Sequence, residues 1–319
     1  MRAIVCHTLS ADRSGLRFEA DWPEPVAPGA GEVTVAIRRA ALNYPDLLML
    51  SGGYQYLPAL PFVPGTEACG EVIAAGAGAE AMIGQRVIVG GRGGCFAERL
   101  TLPMAGVRAV PDGLDDAEAA AFTVGALTAW VGLMTRGRLR AGERVLVTGA
   151  GGGMGLAAVA LAAHEGAHVV AVASTEARLD AARAAGAHEG VLIDRADPVI
   201  GLRDIDVVFD PVGGSAALPA LRTLRRNGRF LIIGVVGGKT AVPLNRALIK
   251  EIEILGVRAG EYARQDPAAG RRHMAAIDAR AAVLRPQIGM TVPLEGVAGA
   301  FDAMAAGTLV GKAVVAVAN

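Results

Sequence analysis

The sequence predicts an α/β protein in which a doubly wound parallel sheet of six strands is joined to a smaller β-rich domain. Three observations predict it. A glycine-rich turn links an apolar strand to an apolar helix within residues 144–175, and short apolar runs recur after it at regular intervals. The first part of the chain reads differently, with short alternating runs punctuated by proline.

The central stretch is RVLVTGAGGGMGLAAVALAAHEGAHVVAVAST, from Arg144 to Thr175. Gly149, Gly152 and Gly155 recur at three-residue spacing, which lets the chain turn sharply and brings backbone close to a pyrophosphate. The helix that follows opens with unpaired N–H groups and a partial positive charge. Strand, turn, helix and second strand together make this a nucleotide-binding signal rather than a chance glycine triplet. Val145 to Ala163 is also nineteen residues without a charge, close to the length of a membrane span. Five glycines in its middle argue instead for strand, turn and helix, and no membrane is expected.

Further strands are expected at HVVAVA (168–173), VLI (191–193), IDVVFD (205–210), RFLIIG (229–234) and IEILGV (252–257). With VLVT they make six. Helical patterns at Glu176 to Ala185 and Ser215 to Arg225 separate several of them, as a parallel sheet wound in two halves requires. Before this domain, runs such as EVTVAIRRA and QRVIVGG alternate in the manner of half-buried strands, with Pro23, Pro25, Pro28, Pro58, Pro61 and Pro64 between them. After about residue 256 the pattern returns to helix and a last strand, KAVVAVA. The expected division is 1–120, completed by 257–319, and 121–256.

Lys and Arg number 31 and Asp and Glu 31, so no net charge draws nucleic acid or anionic lipid, and neither partner is expected. The opening MRAIVCHTLS has no long apolar region, and a cytoplasmic location is expected. Cys6, Cys69 and Cys95 are scattered, without a C-x-x-C pair. His7, His164, His168, His188 and His273 form no zinc-ligand set with them, and His164 and His168 read as surface residues at a helix end and a strand start.

The whole chain resembles the medium-chain dehydrogenase/reductase superfamily. NYPDLLMLSGGY (43–54), PGTEACGEV (64–72), LTAW (127–130), GAGGGMG (149–155), DPVGG (210–214) and the terminal GKAVV resemble its quinone oxidoreductase (zeta-crystallin) branch. The resemblance implies a Rossmann domain and a GroES-like catalytic domain. It also implies a metal-free site, since zinc members carry cysteine where Asn43 stands, histidine where Thr66 stands, and a four-cysteine lobe near Cys95. Without a metal to polarise a carbonyl, hydride transfer to an already electrophilic acceptor such as a quinone or an enone remains feasible.

For the acceptor side the resemblance implies Asn43 and Tyr54 as catalytic candidates. Asn43 can donate to a developing oxyanion or to the nicotinamide ribose. Tyr54 can pack on the acceptor ring and bond its oxygen, with plain loop packing as the alternative. For the cofactor it implies Thr128 at the carboxamide and the turn of Gly149, Gly152, Gly153, Met154 and Gly155 at the pyrophosphate. Gly234, Val235, Val236 and Arg258 follow later strands, beyond whose carboxyl ends ligands bind. Lys312 either reaches the cofactor or is a solvated surface lysine.

NADPH rather than NADH is expected from the end of the second strand. Ser174 and Arg178 stand there to take a phosphate, while Glu176, in the first turn of a helix capped by Thr175, is turned away. The expected function is NADPH:quinone reduction. The alternatives are NADPH-dependent reduction of activated alkenes (2-enals, acryloyl- or enoyl-CoA) and NADPH binding without catalysis. The basic run RTLRRNGR (222–229) lies between helix and strand, where solvated charge is the default. The sixth strand, as an apolar sheet edge, suggests a homodimer.

Overall fold

The computed structural model describes residues 1–194, 198 and 200–318. The chain divides into two compact units, Met1–Thr123 with Ile288–Asn319, and Val124–Gln287.

The first unit is mostly β. Its strands are β1 (Ala3–Cys6), β2 (Leu16–Glu19), β3 (Glu32–Ala41), β4 (Glu67–Ala75), β5 (Arg86–Gly90), β6 (Arg99–Pro103) and β7 (Val107–Ala109), with helix α1 (Tyr44–Leu50) between β3 and β4. Asn43 caps α1, Pro45 sits in its first turn, and Asp46 reaches back to accept from the Asn43 backbone N–H at 2.8 Å. Strand β3 alternates and buries Val33, Val35 and Ile37 completely, and these meet Leu42, Met49, Leu50 and Phe96 in one apolar core.

The second unit begins within α2 (Asp116–Trp130), which widens at its end into a π-helical turn over Val131–Arg136, closed by Gly137 N–H donating to Gly132 O at 2.7 Å. Then follow β8 (Arg144–Thr148), α3 (Gly153–His164), β9 (His168–Ala173), α4 (Glu176–Ala184), β10 (Glu189–Leu192), β11 (Ile205–Asp210), α5 (Ala217–Thr223), β12 (Leu224–Ile232), α6 (Leu244–Lys250), β13 (Glu253–Gly256), α7 (Ala259–Gln265) and α8 (Pro267–Asp278). Strand order is β10-β9-β8-β11-β12-β13, parallel throughout, which is the doubly wound sheet expected. Strands β8, β9 and β11 are buried almost end to end, as sheets covered on both faces demand. The uncharged run 145–163 is divided among β8, the turn and α3.

The chain then returns to the first unit with β14 (Ile288–Pro293), α9 (Val297–Ala306) and β15 (Lys312–Ala316). Sheet order there is β14-β15-β3-β4-β5-β7, with β6 also on β3.

Three expectations need correction. The return begins at Ile288, not at 257, because α7 and α8 belong to the second unit, where Tyr262 and His273 face each other at 5.3 Å and His273 bonds Thr135 at 3.2 Å. The helix expected to Arg225 ends at Thr223, and the basic run after it is part of β12. Arg229 in that run is buried, not solvated: its guanidinium forks onto both oxygens of Glu143 at 2.8 and 2.7 Å and donates to Gly137 O.

Candidate active site

In the second unit, the carboxyl ends of β8 and β11 bracket the point where strand order reverses. Gly149 adopts φ of +59°, a left-handed conformation costly for other residues, and its missing side chain leaves room for Val212 of the neighbouring loop. Gly155 lets α3 approach its strand, since a Cβ there would lie 2.3 Å from Gly149 O. Gly152 caps α3, whose first-turn N–H groups lack backbone partners within the helix.

The loops after β11 and β12 are laced to this turn's neighbours. Asp210, buried at the end of β11, accepts from the Thr148 hydroxyl, Val212 N–H (3.0 Å) and Gly213 N–H (3.1 Å). Gly237 N–H donates to Val212 O at 2.7 Å and Gly214 N–H to Gly238 O at 2.9 Å. Gly234, Val235 and Val236 lie in this laced loop, the two valines half exposed. Arg258 precedes α7 and faces Glu261 at 3.7 Å from an exposed position. Thr128 sits half-buried on α2, and Met154 in the first turn of α3.

At the end of β9 an arginine folds back onto the strand end. Arg178 Nη1 donates to Ser174 Oγ at 2.9 Å, and the arginine is only 8% exposed. Thr175 holds the N-cap position of α4 without a side-chain cap bond, and Glu176 is exposed, 3.4 Å from Arg183.

The first unit holds a second polar cluster. Pairing of β15 and β4 on either side of β3 brings Lys312, the first residue of β15, and Glu67, the first of β4, to the end of β3, where Leu42 and Asn43 follow. Lys312 Nζ donates to Asn43 Oδ1 (2.6 Å), Glu67 Oε1 (2.8 Å) and Leu42 O (3.2 Å). Lys312 is therefore not a surface lysine; it is 7% exposed and Glu67 1%. With its oxygen taken by the ammonium, Asn43 turns its amide nitrogen to Glu67 Oε1 at 2.9 Å. The remaining contact of the amide nitrogen, to Thr66 Oγ1, is long at 3.4 Å. Burial pushes the Asp46 carboxyl up to about 7 against the pull of the Asn43 N–H and Lys312. Cys95 is buried nearby and its thiol is pushed up by the same cause. Tyr54 is half-buried and packs on the apolar core.

The sequence alone does not mark Glu67, Asp210 or Gly151 as site residues. The signal for Glu67 was available as a carboxylate opening the apolar strand EACGEV, and for Asp210 as an acid ending a fully buried strand.

The comparisons with known proteins agree with this geometry. Residues 29–112 match the alcohol dehydrogenase GroES-like domain and residues 153–274 the zinc-binding dehydrogenase domain. Quinone oxidoreductase-like protein 2 of Rattus norvegicus is 33% identical over 311 residues, covering 94% of this chain and 87% of the relative. The quinone oxidoreductase of Thermus thermophilus, solved also with NADPH, superposes with a TM-score of 0.86 at 30% identity over 99% of this chain and all of the other. A solved NAD-dependent alcohol dehydrogenase superposes with a TM-score of 0.87 at 28% identity over the full length of both chains. Glycine turn, six-stranded parallel sheet and β-rich unit define a medium-chain dehydrogenase/reductase, a family of oxidoreductases. Within that superfamily the chain belongs to the quinone oxidoreductase branch.

The name of the second matching domain carries zinc. The side chains bonded to Asn43 are the Thr66 hydroxyl, the Lys312 ammonium and the carboxylates of Glu67 and Asp46, and the position a metal would take beside Glu67 is held by the ammonium. Among the described residues no group of three or more His, Cys, Asp or Glu could hold a metal ion.

Proposed function

We propose that this chain is a cytoplasmic, zinc-independent NADPH:quinone oxidoreductase. The observation that carries the cofactor choice is the Arg178–Ser174 pair at the end of β9, with Glu176 turned to Arg183 instead of toward that strand end. When bound, the nicotinamide cofactor supplies the hydride. The N–H groups of the Gly149–Gly155 turn and the opening of α3 hold its pyrophosphate, and Arg178 and Ser174 its 2′-phosphate. Thr128 serves the carboxamide. Asn43 offers its second amide hydrogen to the acceptor oxygen that gains charge, its orientation fixed by Lys312, and Tyr54 supplies a flat apolar wall. A quinone needs little more, because its reduced anion is delocalised and the protein has mainly to orient it and exclude water.

The test is the initial rate of NADPH oxidation by chelator-treated protein with a small and a polycyclic quinone, a 2-enal and an enoyl-CoA. Quinone-dependent oxidation, with kcat/KM for NADPH roughly tenfold or more above that for NADH, is the expected result. Turnover confined to the alkenes reassigns the acceptor, a preference for NADH removes Arg178 and Ser174 from the pocket, and silence on all four leaves a binding protein.

A homodimer is part of the proposal. Strand β13 is an edge of the parallel sheet, and α6, just before it, exposes Leu244 (81%), Leu248 (77%) and Ile249 (73%). A second copy pairing along this edge would cover both. Sedimentation at micromolar concentration should give twice the chain mass of 32.5 kDa, and a monomer alone would rule the dimer out.

A further inference from the structure

Gly151 lies in the β8–α3 turn but outside the spacing of Gly149, Gly152 and Gly155. A Cβ at Gly151 would stand 2.4 Å from Arg178 Cβ, 2.6 Å from its Cγ and 2.8 Å from its Cα. These are the root of the side chain and the backbone of α4, so they cannot swing aside as a guanidinium could. Arg178 is fixed at both ends: its backbone N–H donates to Thr175 O at 3.2 Å, and its Nη1 to Ser174 Oγ. At Gly152, one residue on, the nearest atom to an added Cβ is Gly149 O at 3.5 Å, an ordinary contact.

We propose that Gly151 is a specificity-determining residue, whose missing side chain seats the Arg178 stem on the pyrophosphate turn and so aims the guanidinium, with Ser174, at the 2′-phosphate of NADPH. This rests on the NADPH reading above. The turn that binds the diphosphate and the arginine that recognises the extra phosphate are then one packed unit. A methyl at Gly151 must displace Arg178, whereas a methyl at Gly152 leaves it in place.

The test is the ratio of Kd for 5′-AMP to Kd for 2′,5′-ADP, measured calorimetrically on the wild type and on Gly151→Ala, Gly152→Ala, Arg178→Ala and Gly151→Ala/Arg178→Ala. Losing a charge-assisted bond to phosphate is expected to lower the ratio by roughly tenfold in Arg178→Ala. Gly151→Ala should fall to the same value, the double variant no further, and Gly152→Ala should keep the wild-type ratio even if both ligands bind more weakly. A wild-type ratio in Gly151→Ala overturns the inference while leaving the NADPH pocket standing. A wild-type ratio in Arg178→Ala overturns both. Circular dichroism checks folding. If Gly151→Ala does not fold, Gly151→Ala/Arg178→Gly, which removes the two tightest contacts at 2.4 and 2.6 Å and leaves the one to Cα, should recover part of the folded signal, and no recovery at all overturns the packing that the inference requires.

Discussion

Replacing Lys312 by methionine is expected to lower folding stability by about 3–5 kcal/mol, the usual cost of leaving a buried carboxylate without its counter-ion. The ammonium contributes all three donors to fixed oxygens, one each on Asn43, Glu67 and the Leu42 backbone, and Glu67 is almost wholly shielded from water. Methionine fills much of the space but leaves the Glu67 carboxylate with the Asn43 amide in place of a cation. The same substitution frees Asn43 Oδ1, so the amide loses the contact that fixes its orientation. Urea unfolding at pH 7 measures the first effect. Adding Glu67→Gln should restore part of the loss, because it removes the uncompensated charge. A loss below about 1 kcal/mol in the single variant would show that the cluster is solvated enough to do without its cation.

The second large effect is a stability loss on raising the pH, centred on Asp46. Its carboxyl is pushed from 3.8 to about 7 by burial, so the folded protein holds a proton that the unfolded chain releases. The contribution is fully present below the unfolded pKa and is lost as pH rises through about 7. A shift of this size corresponds to something on the order of 4 kcal/mol between the two limits. His273 acts oppositely: burial lowers its pKa, so its folded form resists protonation and stability rises with pH through the imidazole range. Carboxylates held low by arginine, such as Glu143 beside Arg229, lose their contribution only in acid. Comparing wild type with Asp46→Asn cancels these other groups. The difference in unfolding free energy should drift in favour of Asp46→Asn between about pH 5 and pH 8, since asparagine stays neutral and keeps an oxygen for the Asn43 N–H. Parallel curves would mean that Asp46 is ionised throughout.

These two effects fall on a cluster that is only partly legible in the sequence. Asn43 is legible as a site residue by resemblance, whereas the capping role of Asp46 emerges only with the structure. Lys312 reads either as a cofactor contact or as a surface lysine, because a single lysine opening a short apolar strand gives no sign of what will lie beside it. Its partners are 245 and 269 positions away in the chain, and only the pairing of β15 with β3 and of β3 with β4 brings them together. Arg229 misleads for a similar reason. A run of arginines before a strand looks solvated until β12 extends backward through it and Glu143 is found opposite.

The second unit is more open to reading because its information is local. Strand, turn and helix follow one another within some thirty residues, and apolar runs of strand length recur with helices between them. The parallel order follows from short right-handed crossovers that leave few other arrangements. Ser174, Arg178 and Glu176 sit in one strand end and one helix turn, so their relative placement is set by the chain itself. Gly151 is the exception, since its contact is with the side-chain root of Arg178 across the turn.

From sequence alone came the class of fold, the six parallel strands and the glycine turn, set by patterns that repeat within one or two elements, and, by resemblance of motifs along the whole chain, the family. Tertiary structure alone decided that α7 and α8 pack with the second unit, that Lys312 and Arg229 are buried, and that Asn43 is oriented by an ammonium. Hydrophobic periodicity specifies which face of an element is buried but not which distant element covers it. A buried charge takes its meaning from that covering partner.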